Sequence, residues 1–131
     1  MTSNMSSLEY LYLGDNNLRG DALPKNLSLP KLKILDLGKN DFTGFFQDSL
    51  SRSLSQSPAL PQLRALMLTG NRLQGQIPQQ LCRMRRLSVL DLSNNYLSGI
   101  IPECIDNITS WTAVDQRGAE MISYDLYLWT A

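Results

Sequence analysis

The chain has 131 residues, enough for one small domain, and its 43% hydrophobic and 18% charged residues are typical of a globular protein. Twelve basic residues balance twelve acidic ones, so no strong positive field is available to attract nucleic acid or anionic lipid. Histidine is absent and cysteine occurs twice, which argues against histidine-based catalysis, a four-cysteine zinc site and a disulfide-rich scaffold.

The N-terminus has no basic segment followed by an apolar core, and no apolar run reaches the roughly 18 residues that a membrane-spanning helix needs. The sequence therefore predicts neither a signal peptide nor a transmembrane segment within these residues.

One pattern recurs four times, with apolar residues at its first, fourth, sixth and eleventh positions, Asn at the ninth and Gly at the thirteenth. The copies begin at Leu8, Leu32, Leu63 and Leu87. Apolar residues at the fourth and sixth positions share one face of a short strand, and such a strand buries that face only by stacking against its neighbours. The pattern therefore predicts a solenoid with one strand per repeat in a parallel inner sheet.

The repeated Asn and Gly have separate predicted roles. An Asn carboxamide can donate to and accept from backbone groups that a turn leaves unpaired, so stacked copies should form an asparagine ladder. The Gly should permit a tight turn. The ladder residues are Asn16, Asn40, Asn71 and Asn95.

The second copy is seven residues longer than the first and third, and the insertion lies within residues 45–62. Serine occupies every second position from Ser49 to Ser57. We interpret this stretch as a solvated loop with a short helical turn; the alternative is a phosphorylated or partner-binding loop.

Two copies continue past the Gly into Ile-Pro, at Ile77-Pro78 and Ile101-Pro102, and the repeat length is 24 residues. This pattern resembles the plant-specific class of leucine-rich repeats, over roughly residues 4–111. That class builds the ectodomains of receptor-like proteins and receptor kinases, and the polygalacturonase-inhibiting proteins. The resemblance implies an α/β solenoid, a short right-handed superhelix with a parallel inner sheet and an irregular or 3₁₀ convex side.

The pair Leu81-Cys82 and Ile101-Pro102-Glu103-Cys104 is similar to the last repeats before the non-repeat island of receptor-like proteins. After Trp111, Val114 fits the next apolar position but Gln116 does not. We therefore expect repeats over residues 1–110 and a tail resembling the start of an island over 111–131. Because the first copy is preceded by the end of another repeat, we interpret the chain as an internal fragment of such an ectodomain.

Cys82 and Cys104 fall on the backs of adjacent coils by repeat alignment. The family resemblance favours a disulfide between them if the chain is secreted, whereas both thiols would stay reduced in the cytosol. Three glycosylation sequons begin at Asn4, Asn26 and Asn107, all between a Gly turn and the next strand. Glycans there would leave the inner face clear, which favours a secretory history.

The candidate binding face consists of residues interleaved with the strand leucines, together with those just after the strand. A mixture of aromatic, charged and small groups suits protein recognition, and tyrosines combine apolar area with a hydroxyl. Copy by copy, the candidates are Tyr10, Tyr12 and Asp15; Ile34, Asp36 and Lys39; Ala65, Met67 and Thr69; and Val89, Asp91, Ser93 and Asn94.

Acid–base catalysis is not expected from these residues. Asp36 and Asp91 belong to non-adjacent repeats, about 10 Å apart at the usual strand spacing, on an open solvated sheet. The sequence predicts no enzyme, cofactor or metal site.

The predicted function is binding of a protein or peptide ligand, with a co-receptor as a further candidate partner, in extracellular recognition and signalling in defence or development. Family resemblance implies an extracellular or plasma-membrane location. The alternatives are a hydrolase inhibitor similar to polygalacturonase-inhibiting proteins and an intracellular scaffold.

Overall fold

A computed structural model describes residues 5–24, 27–53, 60–107, 110–112 and 128–129. Five short parallel strands form the inner sheet, in the spatial order β1-β3-β5-β7-β10. They are β1 (Tyr10–Tyr12), β3 (Ile34–Asp36), β5 (Ala65–Met67), β7 (Val89–Asp91) and β10 (Ser110–Thr112). Each strand is one coil further along the chain than its neighbour, so the protein is the predicted α/β solenoid.

The strand leucines form the core, as their spacing predicts. Leu35, Leu66 and Leu90 pair in register across three strands and are almost fully buried. Leu11, at the same position of β1, is only partly buried because it lies in the first strand of the sheet. Stacking therefore buries the apolar face that a single coil leaves open.

A second set of short strands follows the ladder asparagines. Parallel pairs join β2 (Arg19–Gly20) to β4 (Asp41–Phe42), and β6 (Gln74–Gly75) to β8 (Tyr96–Leu97). The repeat glycines of all four coils have φ between 82° and 91°, a region that residues with a Cβ enter only at a cost, so the predicted tight turn is present.

The insertion contains a helix, α1 (Phe46–Ser53), which is longer than the short turn that the sequence predicted. Phe46 and Leu50 are fully buried and lie one helical turn apart, so the helix packs its apolar side into the core. Asp48 lies in the first turn, where its negative charge interacts favourably with the positive end of the helix dipole. The alternating serines do not indicate a helix, whereas the four-residue spacing of Phe46 and Leu50 does.

Two 3₁₀ helices, Gln79–Arg83 and Glu103–Asn107, lie on the back of successive coils, in agreement with the predicted convex side. Within the described ranges, no helix combines the length and the apolar character needed to cross a bilayer.

The last inner strand differs from the sequence alignment. Trp111 pairs with Leu90, whereas the 24-residue period aligns it with Leu87. The difference comes from the segment that connects each 3₁₀ helix to the next inner strand. Five residues separate the first 3₁₀ helix from β7, but only two separate the second from β10. The inner sheet therefore extends to Thr112, two residues past the expected repeat boundary. Farther on, β11 (Leu128–Trp129) pairs antiparallel with β9 (Gly99–Ile100) of the last coil.

Candidate functional site

The outward-facing residues of the inner sheet form two rows that cross the strands. The register aligns Tyr10, Ile34, Ala65 and Val89 in an apolar row, and Tyr12, Asp36, Met67 and Asp91 in a mixed row. The sequence placed all eight on this face, and the structure brings them together as two continuous strips.

Exposure along the apolar row is uneven. Tyr10 is 51% exposed, while Ala65 is only 9% exposed and counts as buried, contrary to the expectation that it would face solvent. Its methyl group is short and lies between the larger Ile34 and Val89 side chains, which cover it. A ligand would therefore contact the row mainly through Tyr10, Ile34 and Val89.

The mixed row carries the strongest anchor and both carboxylates. Tyr12 is 60% exposed, whereas Asp36, Met67 and Asp91 are half-buried. Asp36 and Asp91 flank Met67, one on each side. This arrangement offers two acceptor groups around an adaptable apolar side chain.

A hydroxyl chain continues from Asp91 beyond the strands. The Asp91 carboxylate accepts hydrogen bonds from Ser93 N (3.0 Å) and Ser93 Oγ (2.6 Å), and Ser93 Oγ lies 2.8 Å from Thr69 Oγ1. Asp36 accepts from the backbone N of Gly38 at 3.0 Å. The two carboxylates are thus held in place by their own turns.

Glu9 and Lys33 form an ion pair where the first two inner strands begin, with 2.6 Å between Glu9 Oε1 and Lys33 Nζ. The hydrogen bond from Lys33, followed by its charge, lowers the pKa of Glu9 from its ordinary value. The repeat pattern does not mark this pair, because Glu9 and Lys33 each occupy the variable second position of their copies.

Asp15, Lys39 and Asn94 lie in the turn just before a ladder asparagine, and all three are exposed. Their φ values are 61°, 54° and 55°, and Gly70 at the same position of the third coil has 71°. A left-handed backbone conformation at this position is therefore a property of the repeat. The sequence does not indicate it, because the residue type at this position varies between the copies.

The asparagine ladder links successive coils. Asn40 donates to Leu13 O of the preceding coil and to Leu37 O of its own coil, at 3.0 Å each. Its Oδ1 accepts from the backbone N of Asn16 (3.0 Å) and Leu18 (2.9 Å). Asn71 and Asn95 repeat this scheme and, like Asn40, are buried, whereas Asn16 in the first coil is exposed.

Comparison with known families agrees with this architecture. Models described as leucine rich repeat match residues 7–29, 31–53 and 61–114, which cover all four copies of the pattern. The chain belongs to the leucine-rich repeat proteins.

Among leucine-rich repeat proteins, the chain is similar to Receptor-like protein 32 of Arabidopsis thaliana, with 38% identity over 76% of this chain and 11% of that protein. It spans about a tenth of the length of the curated relatives it matches. These relatives confirm the resemblance to plant receptor-like proteins.

Two solved structures have the same fold. The ectodomain of the receptor kinase SOBIR1 from Arabidopsis thaliana matches with 31% identity and a TM-score of 0.67, over 87% of this chain and 60% of that one. The plant peptide hormone receptor RGFR1, in complex with RGF2, matches with 29% identity and a TM-score of 0.66, over 84% of this chain and 18% of that one.

The cysteines of this leucine-rich repeat chain are bridged. Cys82 and Cys104, in the two 3₁₀ helices, form a disulfide with Cα atoms 5.5 Å apart. The bridge ties the backs of the last two coils together. Of the three sequons, those at Asn4 and Asn26 begin outside the described residues, and Asn107 is the last residue of the second 3₁₀ helix.

Proposed function

We propose that the inner sheet of this chain is part of the ligand-binding surface of a plant receptor-like protein and that its ligand is a peptide or protein. The observation that carries the proposal is the pair of in-register rows, in which exposed Tyr10 and Tyr12 stand beside half-buried polar and apolar groups. Tyrosine anchors surrounded by polar groups are typical of protein-binding surfaces.

The rows suit an extended chain segment that crosses the strands. The mixed row presents acceptors at Asp36 and Asp91, and the hydroxyls of Thr69 and Ser93 continue that polar surface. The relatives named receptor-like proteins and the hormone-bound structure of RGFR1 support this use of the fold. Binding without chemistry is the role we assign, because the carboxylates lie on an open sheet rather than in a closed pocket.

We also infer an extracellular location and a role in defence or development. The disulfide between Cys82 and Cys104 supports an oxidising compartment, since such bonds are rare in the cytosol. This favours an extracellular protein over the intracellular scaffold. Expression behind a signal peptide should give a product with no free thiol and a gel shift on peptide-N-glycosidase treatment; free thiols and no shift would contradict the location.

Selection of a displayed random-peptide library on the purified chain tests the binding role. The enriched peptides should bind Tyr12→Ala and Met67→Ala variants at least about tenfold more weakly, because both side chains lie in the mixed row. Thr43→Ala is the control, since Thr43 is exposed outside the inner sheet. Peptides whose affinity is unchanged by the two inner-face variants would overturn the proposal.

A further inference from the structure

A groove of about 550 Å³ lies on the flank of the solenoid, away from the two rows of the inner sheet. Its walls come from α1, from residues 76–80, which follow β6 and include the first residues of the first 3₁₀ helix, and from Ile100 and Pro102 of the last coil. We propose that this groove binds a neutral oligosaccharide. The site is separate from the proposed peptide surface.

Amide side chains dominate the polar lining of the groove. Four carboxamides, those of Gln47, Gln76, Gln79 and Gln80, line the groove together with the carboxylate of Asp48. A carboxamide both donates and accepts hydrogen bonds, as a sugar hydroxyl does, and a carboxylate accepts from a hydroxyl. Four such groups around one groove match a ligand with many hydroxyls and no charge.

The lining also excludes an anionic ligand. Among the residues that the structure describes, no lysine or arginine lines the groove, while Asp48 is exposed and carries negative charge. An acidic sugar or a phosphate would meet repulsion from Asp48 without a compensating cation.

Apolar side chains complete the groove. Ile77, Pro78 and Pro102 are buried at its base, and Ile100 is 48% exposed at its border. Carbohydrate rings have apolar C–H faces as well as hydroxyls, so a lining that alternates carboxamides with aliphatic groups suits both. A concave surface that combines apolar groups with hydrogen-bonding side chains suits a small ligand with the same mixed character.

A hydrogen bond across one wall of the groove positions the side chain of Gln47. Gln47 Oε1 accepts a hydrogen bond from the backbone N of Gln76 at 2.9 Å, which joins α1 to the neighbouring coil. Beneath it, a Cβ on Gly75 would lie 2.9 Å from Gln47 Oε1, so only glycine leaves room for this contact. Fixing the side chain in advance lowers the entropy lost on binding.

An extended peptide suits the groove less well. Pro78 and Pro102 have no backbone N–H, and the N–H of Gln76 already bonds to Gln47. The carbonyl of Gly75 accepts from Ser98 N at 2.7 Å. These walls therefore offer side chains rather than the free backbone edge that a peptide strand needs.

Saturation-transfer NMR on the full chain tests the proposal with three probes: cellotriose and maltotriose, which are neutral, and trigalacturonate, which is anionic. We expect transfer to at least one neutral trisaccharide and none to trigalacturonate. The affinity of the bound sugar should fall at least about tenfold in a Gln79→Ala/Gln80→Ala double variant, because two hydrogen-bonding side chains are lost. Gln74→Ala, an exposed glutamine outside the groove, is the matched control and should bind as the wild type does.

Three results would overturn the inference: no transfer to either neutral sugar, preferential binding of trigalacturonate, or equal loss of affinity in the double variant and the Gln74→Ala control. An unchanged urea midpoint in the double variant establishes that its loss of binding is not a loss of fold. Because the peptide test uses inner-sheet variants, failure of the sugar site leaves the proposed peptide surface standing.

Discussion

The side chain of Asn71 donates a hydrogen bond to the carbonyl of Leu37, one coil earlier, with 3.0 Å between Nδ2 and O. The same nitrogen donates to Leu68 O at 3.0 Å, and its Oδ1 accepts from Phe42 N at 3.1 Å. A single buried carboxamide thus satisfies backbone groups of two coils that have no access to water. The asparagine therefore links these two coils in addition to the packing of the leucines.

Asn71→Ala should lower the free energy of unfolding by about 3 kcal/mol. It leaves the buried N–H of Phe42 without a partner, at a cost of roughly 1–3 kcal/mol, and it removes one of the two side-chain donors from each of the carbonyls of Leu37 and Leu68. Urea denaturation followed by circular dichroism measures the change. Asn16→Ala is the matched control: Asn16 is exposed, and its side chain donates to the carbonyls of Leu13 and Gly14 in its own coil. We expect it to cost less than about 1 kcal/mol, and equal losses in the two variants would contradict the ladder's role.

Reduction of the Cys82–Cys104 bridge should lower stability by about 3 kcal/mol, since the bond closes a loop with a sequence separation of 22 and restricts the unfolded chain. The experiment compares urea midpoints with and without dithiothreitol. In a Cys82→Ser/Cys104→Ser variant the midpoint should be low from the start and indifferent to reductant. A wild-type midpoint that does not move on reduction would show that the bridge contributes nothing.

The ion pair of Glu9 and Lys33 predicts a small pH dependence. Because the pKa of Glu9 is lowered in the folded state, its contribution is present above the unfolded pKa and is lost as the pH falls through the folded one. Glu9→Gln should therefore lower the urea midpoint slightly at pH 7 and leave it unchanged well below the carboxyl pKa. Half a molar salt should shrink the difference, since the pair is partly exposed. A difference that grows on acidification would contradict this assignment.

Most of the inner sheet could be predicted because it is encoded locally. The strand leucines, the ladder asparagines and the turn glycines recur at fixed spacing. The residue type at each of these positions indicates whether it lies in the core, in the ladder or in a turn. Ala65 shows the limit of that logic: its alternation predicts exposure, but its burial depends on the size of Ile34 and Val89 in other coils.

Features that depend on segment length or on packing between coils could not be predicted. The register of Trp111 follows from the length of the segment between the second 3₁₀ helix and β10, which is three residues shorter than the equivalent segment before β7. The apolar pattern of the sequence does not indicate this shortening. Likewise, the contact between Gln47 and Gln76 depends on the insertion folding as α1, so that two glutamines 29 positions apart meet. The groove on the flank could therefore not be predicted from the sequence.

The glycines of the second strand set give a sharp test of that contact between α1 and the third coil. Gly20 and Gly75 have nearly the same backbone, with φ of 88° and 82°, but their surroundings differ. A Cβ at Gly20 would meet nothing within 4 Å, whereas one at Gly75 would lie 2.9 Å from both Gln47 Oε1 and Phe45 Cδ1.

Gly20→Ala should therefore cost about 1 kcal/mol, which is the strain of left-handed backbone alone. Gly75→Ala should cost that amount and, in addition, displace Gln47 from its hydrogen bond with Gln76, for a total of about 2 kcal/mol or more. Urea midpoints give the two losses. The backbone amide of Gln76 should exchange with deuterium faster in Gly75→Ala, while its exchange in Gly20→Ala should stay at the wild-type rate. If both variants lose the same stability and protect the Gln76 amide equally, α1 does not pack on Gly75 as described.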